Sequence, residues 1–254
     1  MVDHKDIVIS GGGIAGLVAA VAFGDAGFDV LCVDPKPPVT NRDTTGADLR
    51  TTAYLQPGQT FLQTIGIWPL VADRSAPLQI MRIVDAAGPD LVTKDFNATD
   101  ISDAPFGWNV GNWDMRDGLL SRIAALPNVV FEPGLSTTST NTRSTEARVT
   151  LSDGRLISCQ LLIAADGRDS AIRKTARIAA KRSEFGQLAL SFAVTHAMGH
   201  DNISTEVHKG GGPFTLVPLP DFEGQPSSAV VWMDKILDIQ AMQALSIDEF
   251  NAEI

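Results

Sequence analysis

Two cysteines in 254 residues, Cys32 and Cys159, are too few for a disulfide framework. Each lies in an apolar, strand-like run and reads as a small buried hydrophobe. No apolar run approaches the roughly 20 residues that a membrane-spanning helix needs. Residues 1–6 (MVDHKD) lead straight into a strand, without the basic region and apolar segment of a secretory signal. There is no concentrated basic face, and the net charge of −10 weighs against nucleic acid as a partner. The densest basic stretch, Arg168 to Arg182, reads as the solvated side of a helix. His196 and His200 are four apart, but Gly199 lies between them and the preceding residues alternate like a strand, so no metal site is expected. These absences point to a soluble, cytoplasmic protein. The hydrophobic content of 44% with 20% charged residues is that of a globular enzyme, long enough for one large or two modest domains.

The most informative segment is VISGGGIAG at 8–16. It follows a short apolar strand, Asp6 to Ser10, and opens a helix expected from Ile14 to Gly27, so the unpaired N–H groups of that helix face the turn. Gly11 permits the tight turn, Gly13 lets the backbone approach a phosphate, and Gly16 lets the helix pack against its strand. With Ile14 and Ala15 these residues form the candidate pyrophosphate cradle. The next apolar run, Phe28 to Val33, ends at Asp34, 18 residues beyond Gly16, where a carboxylate would grip a ribose hydroxyl pair. An acid there suits FAD or NAD over NADP and does not choose between the first two.

Residues 35–48 are polar and proline-rich and read as a loop, and the later part of 49–66 reads as a helix ending at Gly66. Gln79 to Asp85 and Asp90 to Phe96 form a hairpin-like excursion. Asn112 to Leu126 has helical spacing and stops at Pro127; residues 129–132 would extend the nucleotide-binding sheet. The Ser/Thr-rich run 136–145 reads as a loop or hairpin tip. Strands 147–151 and 156–163 flank Asp153-Gly154, a hairpin turn signal. From Glu184 onward four strand-like runs describe an antiparallel second domain. GGGP at 210–213 precedes a strand and reads as a turn, and the four tryptophans read as core.

A second motif, LIAADGRDSAIR at 162–173, ends a strand in Asp166-Gly167, followed by Ser170 and Arg173. Taken by itself it is a strand-to-helix turn with Asp166 as a cap. It also resembles the Asp-Gly motif of the single-component flavoprotein aromatic hydroxylases. DLRTTAYL at 48–55, FLQTIGIW at 61–68, VGNWDMRDGLL at 110–120, GQLAL at 186–190 and GPFTLVPL at 212–219 continue the likeness in order, toward the ubiquinone-biosynthesis hydroxylases. The resemblance covers essentially the whole chain. It implies an α/β fold like that of para-hydroxybenzoate hydroxylase. A Rossmann-like FAD-binding domain would comprise 1–75 and 104–182, and a mainly antiparallel β substrate domain 76–103 and 183–254.

In that family Asp166, Gly167 and Arg173 would contact the flavin nucleotide and the reduced nicotinamide. Arg50 would lie beside the flavin pyrophosphate or ring, and Asn112 or Arg116 would contact the nucleotide. The implied activity is oxidation of NADH or NADPH through FAD, reaction with dioxygen, and transfer of one oxygen atom to an aromatic ring, as in a polyprenyl phenol on the way to ubiquinone. The substrate-facing surface is expected around Pro213 to Leu219 and Val230 to Met233. Association with a membrane surface or a biosynthetic complex stays open. No side chain presents itself as a general base, so no catalytic residue is assigned. The family's third signature, a Gly-Asp-Ala-Ala-His-like segment, has no match, so the fold is expected to be C-terminally incomplete. The chain would then be a fragment, or a truncated or non-catalytic nucleotide-binding relative. An NAD-dependent dehydrogenase is disfavoured by Asp166-Gly167 and by the antiparallel second half.

Overall fold

Val8, Ile9 and Val30 to Val33 are almost wholly buried, as strands covered on both faces must be. They belong to two adjacent interior strands of a sheet in a computed structural model that describes residues 2–254. In chain order the elements are β1 (Asp3–Ser10), α1 (Ile14–Asp25), β2 (Val30–Asp34), β3 (Thr51–Leu55), α2 (Gln56–Thr64), α3 (Trp68–Val71), β4 (Ser75–Leu78), β5 (Ile80–Asp85), β6 (Val92–Asn97) and β7 (Gly107–Gly111). There follow α4 (Asn112–Ala124), β8 (Val129–Pro133), β9 (Thr137–Thr142), β10 (Ala147–Leu151), β11 (Leu156–Ala164), α5 (Ala171–Thr175), β12 (Gln187–Thr195), β13 (Ile203–His208), β14 (Pro213–Phe222), β15 (Gln225–Lys235), α6 (Ile236–Gln243) and α7 (Ile247–Glu253).

The chain divides into two units. The first holds the chain up to Asp48, Thr60–Asp73 and Asn112–Lys181; the second holds Leu49–Gln59, Arg74–Gly111 and Arg182–Ile254. This places 49–59, 74–75, 104–111 and 182 in the second unit, whereas the expectation from sequence assigns them to the first. The reason is strand pairing: β3 pairs with β7, and β7 with β4, in a small antiparallel sheet.

The first unit is built on a six-stranded sheet of order β8-β2-β1-β11-β10-β9. β8, β2, β1 and β11 run parallel, and β9 and β10 complete an antiparallel meander. The Ser/Thr run is therefore an edge strand, β9, and not a loop; its hydroxyls suit a solvated strand edge. One cluster joins Val8, Leu31 and Val33 to Val149, Leu151 and Ile157. α1 buries Leu17, Ala20 and Val21, and α4 buries Met115, Leu119 and Ile123. The basic stretch forms only the short α5, and Arg168, Lys174 and Arg177 are exposed.

The second unit carries a sheet of order β12-β15-β14-β13-β5-β6. Four of its strands are the runs expected after Glu184, but β13 pairs with β5 in parallel, so the sheet is mixed. Asn109 on β7 is buried and donates to the Pro218 carbonyl of β14 at 2.9 Å, tying the small sheet to the larger one. No helix among the described residues is long and apolar enough to cross a membrane.

Candidate functional site

The parallel strands of the first unit end in register. Ser10 lies opposite Val33 of β2 on one side and Ala164 of β11 on the other. The chain leaves β1 toward β2 and later returns on the far side as β11, so β1 is the topological switch point at whose carboxyl end α/β sheets bind ligands. The glycine turn, Asp34 and Asp166 thus meet at one sheet edge.

The turn is held from both sides. Gly11 N–H donates to the Val33 carbonyl at 2.8 Å, and Ala165 N–H to that of Ser10 at 2.8 Å. Gly11 has φ +116°, and a Cβ there would lie 2.2 Å from the Ala165 oxygen. A Cβ on Gly16 would lie 1.8 Å from the Gly11 oxygen, so the helix rests on the turn itself. A Cβ on Gly13 would meet nothing within 4 Å. Gly13 is the N-cap of α1 without a side-chain cap, so the N–H groups of Ile14, Ala15 and Gly16 lack intrahelical acceptors beside that open space.

Asp34 braces this turn. Its Oδ2 accepts from Gly12 N–H at 2.6 Å and its Oδ1 from Lys36 N–H at 2.8 Å. Each oxygen keeps a further lone pair for another donor. Burial, reinforced by the Asp34 charge, pushes the neighbouring Cys32 thiol up to about 12.

Asn112 and Arg116, one turn apart on α4, both address Asp48. The Asn112 amide donates to Asp48 Oδ2 at 3.0 Å and the Arg116 guanidinium to the same oxygen at 2.9 Å. Asp48 and Arg116 share with Gly12, Gly13 and Asp34 a cleft of about 230 Å³. Asp48 was missed by sequence reasoning, although it opens one of the segments that carry the resemblance. A lone acid in a polar loop carries no spacing signal. Arg50, two residues on, is exposed and belongs to the second unit.

Asp166 caps the short α5. Its Oδ2 accepts from Ala171 N–H at 2.8 Å and Ile172 N–H at 3.2 Å, while Ser170 Oγ accepts from Arg173 N–H at 2.9 Å. Burial would raise the Asp166 carboxyl, but the Ser170 hydroxyl and the backbone N–H groups outweigh it and hold the carboxyl below its ordinary range. Gly167 takes φ +87°, the left-handed turn after the strand. Asp166 Oδ1 is buried without a hydrogen-bond partner among the described residues. An ionised carboxylate oxygen in that position accepts only, so it fits a ligand hydroxyl. The Arg173 guanidinium is half-buried and has no ion-pair partner among the described residues. An open helix N-terminus and an orphaned acceptor at one sheet edge are what a dinucleotide with pyrophosphate and sugar hydroxyls would satisfy.

The second unit contains a separate cavity of about 1040 Å³. Phe214 and Leu216 of β14 and Val230 of β15 form apolar wall, with Arg82, His196 and Ser228 as polar lining. Register explains the pattern, since Phe214 pairs with Trp232 and Leu216 with Val230 on one face. Trp232 packs edge-on to Phe214, with ring centroids 5.6 Å apart. His196 and His200 flank a turn and not a helix, and no group of three or more His, Cys, Asp or Glu among the described residues is placed to hold a metal.

The chain matches the FAD binding domain family over residues 4–236. It is 30% identical over 249 residues to ubiquinone hydroxylase UbiL of Rhodospirillum rubrum, covering 98% of this chain and 56% of that protein. It is 24% identical over 250 residues to the 3-demethoxyubiquinol 3-hydroxylase of Escherichia coli, covering 98% and 62%. The chain thus spans little more than half the length of these relatives. Among solved structures, PqsL of Pseudomonas aeruginosa in complex with 2-aminobenzoylacetate superposes with a TM-score of 0.79 at 20% identity, covering 95% of this chain and 64% of that one. The p-nitrophenol 4-monooxygenase PnpA of Pseudomonas putida gives 0.78 at 16% identity, covering 99% and 61%. At such identities the structures establish the likeness of fold.

Proposed function

This chain belongs to the FAD binding domain family, and from that membership we propose that its first unit holds FAD within an NAD(P)H- and dioxygen-dependent monooxygenase that hydroxylates an aromatic ring. The observation that carries the reading is the pairing, at one sheet edge, of the open N-terminus of α1 with the orphaned Asp166 Oδ1. Ile14, Ala15 and Gly16 would offer N–H groups to the pyrophosphate, and Gly11 and Gly13 keep side-chain atoms away from it. Asp34 would take a ribose hydroxyl on its remaining lone pairs. Asp166, beside Gly167, would take a hydroxyl on Oδ1, while Arg173 supplies positive charge. Arg116 and Asn112, set by Asp48, would line the nucleotide's path.

Bound FAD supplies hydride acceptance from NAD(P)H and activation of dioxygen. Overall, an aromatic C–H, dioxygen, NAD(P)H and a proton become an aromatic C–OH, NAD(P)+ and water. The apolar wall of the second-unit cavity would bind the ring and exclude water from it. The names of the relatives direct the choice of substrate toward a ubiquinone precursor. A prenyl tail on such a phenol would be housed in lipid, which would bring the protein to a membrane surface from the cytoplasmic side or into a biosynthetic complex.

The test is to purify the protein, add FAD, desalt, and record the visible spectrum, then follow NADH and NADPH oxidation with a phenol. Retained oxidised-flavin bands and phenol-stimulated oxidation are expected. Flavin retained without oxidation would identify a non-catalytic nucleotide-binding relative, and a colourless protein would overturn the reading.

A further inference from the structure

We propose that β6 and the apolar groove beside it form a docking edge for a partner protein, which adds an extended basic segment to the large sheet of the second unit as a further strand. β6 ends that sheet and pairs with β5. Its outer edge follows from the hydrogen-bond ladder. Ala86 N–H donates to the His208 carbonyl of β13 at 2.8 Å, and Ala98 N–H donates to the Gln79 carbonyl at 2.8 Å. Backbone groups alternate in direction along a strand, so Met81, Ile83 and Asp85 turn theirs toward β6, where they face Phe96, Lys94 and Val92. Thr93, Asp95 and Asn97 then turn theirs away from β5. Asp100 Oδ2 accepts from Asn97 N–H at 3.4 Å, which closes that end of the edge. Thr93 and Asp95 are left to offer an N–H and a carbonyl each to an added strand.

Side chains alternate as well, so Val92, Lys94 and Phe96 share one face, and Val92 and Phe96 are 63% and 51% exposed. Beside Phe96 lies a groove of about 420 Å³, lined by Leu55, Met81, Ile101 and Phe106. Its wall is pinned by hydrogen bonds. The Gln56 side-chain amide donates to Ser102 Oγ at 2.6 Å and to the Pro105 carbonyl at 2.9 Å. A capping box between Asn97 and Asp100 holds the turn from which Ile101 projects, 80% exposed. Strand edges are commonly guarded by charge, but the Lys94 ammonium is folded back over the Phe96 ring, 6.0 Å from its centroid. Strand addition uses this combination: the ladder supplies affinity, and pockets for alternate side chains supply choice.

Charge selects the partner. Asp85 and Asp90 stand at one end of β6 and Asp100 and Asp103 at the other, and all four are exposed. None of them is in an ion pair among the described residues, whereas Asp95 is neutralised by Arg82 at 2.8 Å. Such an edge attracts lysine and arginine, and it repels an anionic lipid surface or a second copy of this chain, whose net charge is −10. The partner segment is therefore extended, apolar at alternate residues and basic at the others.

The experiment uses the protein itself and a short fluorescein-labelled peptide of alternating valine and lysine, with binding read from anisotropy. No flavin is needed, so the outcome is independent of the flavin reading of the first unit. Saturable binding is expected, and the same peptide with glutamate for lysine should bind about tenfold more weakly. N-methylation of the valine–lysine peptide at alternate residues along one edge removes ladder donors and should also weaken binding about tenfold. Thr93→Pro removes an outward N–H without touching the ladder to β5, and Phe96→Ser removes the apolar contact beside the groove. Each should weaken binding about tenfold, with circular dichroism as the check that the variants fold. Absence of binding, equal binding of the glutamate peptide, or affinity unchanged by both Thr93→Pro and N-methylation overturns the proposal. Self-association, or adsorption to phosphatidylcholine vesicles, that Phe96→Ser abolishes would give the surface to a second copy or to lipid and overturns it as well.

Discussion

A side-chain carbon on Gly11 would lie 2.2 Å from the carbonyl oxygen of Ala165, so the turn after β1 and the turn after β11 are in direct backbone contact. Gly13, two residues on, faces open space. The two glycines are therefore needed for different reasons, and substitution separates them. Gly11→Ala combines a positive φ with a backbone clash and should cost about 3 kcal/mol, a fall of about 6–12 °C in Tm for a protein of this size. Gly13→Ala should change stability by no more than about 0.5 kcal/mol. It should nevertheless weaken FAD binding about tenfold or more, because the methyl enters the space before the helix N-terminus. Thermal melts and flavin titrations of both variants check the pair of expectations; equal effects on both measurements would remove the distinction.

Asp48 organises two side chains of α4 at once. Asp48→Ala leaves the Asn112 amide and the half-buried Arg116 guanidinium without that shared oxygen, and should cost about 1–3 kcal/mol. In a double-mutant cycle with Arg116→Ala, urea denaturation should give a coupling of about 1 kcal/mol. Strict additivity would show that the pair contributes nothing to stability.

Asp166 links the cap of α5 to acidity. Its carboxyl is held below the ordinary range when folded, so its contribution to stability is complete above the unfolded value near pH 4 and is lost as pH falls through the lower folded value. Asp166→Ala should lose about 1 kcal/mol of cap stabilisation at pH 7. The difference between the two proteins should close toward pH 2. Asp166→Asn should retain most of the cap while weakening flavin binding, since its amide cannot offer two acceptor oxygens. Melting curves across pH 2 to 7 with flavin titrations measure each part.

Cys32 and Cys159 are buried, and burial raises both thiols, Cys32 to about 12. At pH 8 both should be thiol and not thiolate in the native protein, and so should resist a disulfide reagent for hours. Both should titrate at once in denaturant. Fast reaction of either thiol in the native protein would show that its strand opens readily.

Local pattern is reliable where spacing and chemistry coincide. The glycine turn with its strand, helix and terminal Asp34 is legible because each residue acts on its neighbours, and α4 is legible because its apolar spacing is bounded by Pro127. β3, β4 and β7 were not legible. They are four or five residues long, β4 contains Pro77, and what makes them strands is mutual pairing across tens of residues. β9 was hidden for the same reason, since a Ser/Thr run becomes a strand through β10 beside it.

The sequence by itself determined the character of the candidate cofactor site: a helix start without side chains in its path, an acid after the second strand, and an Asp-Gly turn after a later one. Those properties come from local backbone freedom and from the order of residues along the chain. Only the tertiary structure decided that Ser10, Val33 and Ala164 end level, that Asp48 and not solvent receives Arg116, and that His196 closes over Ser228. Each of these joins segments that are distant in sequence, and their separation leaves no periodicity along the chain. Strand register and packing of the folded chain set them.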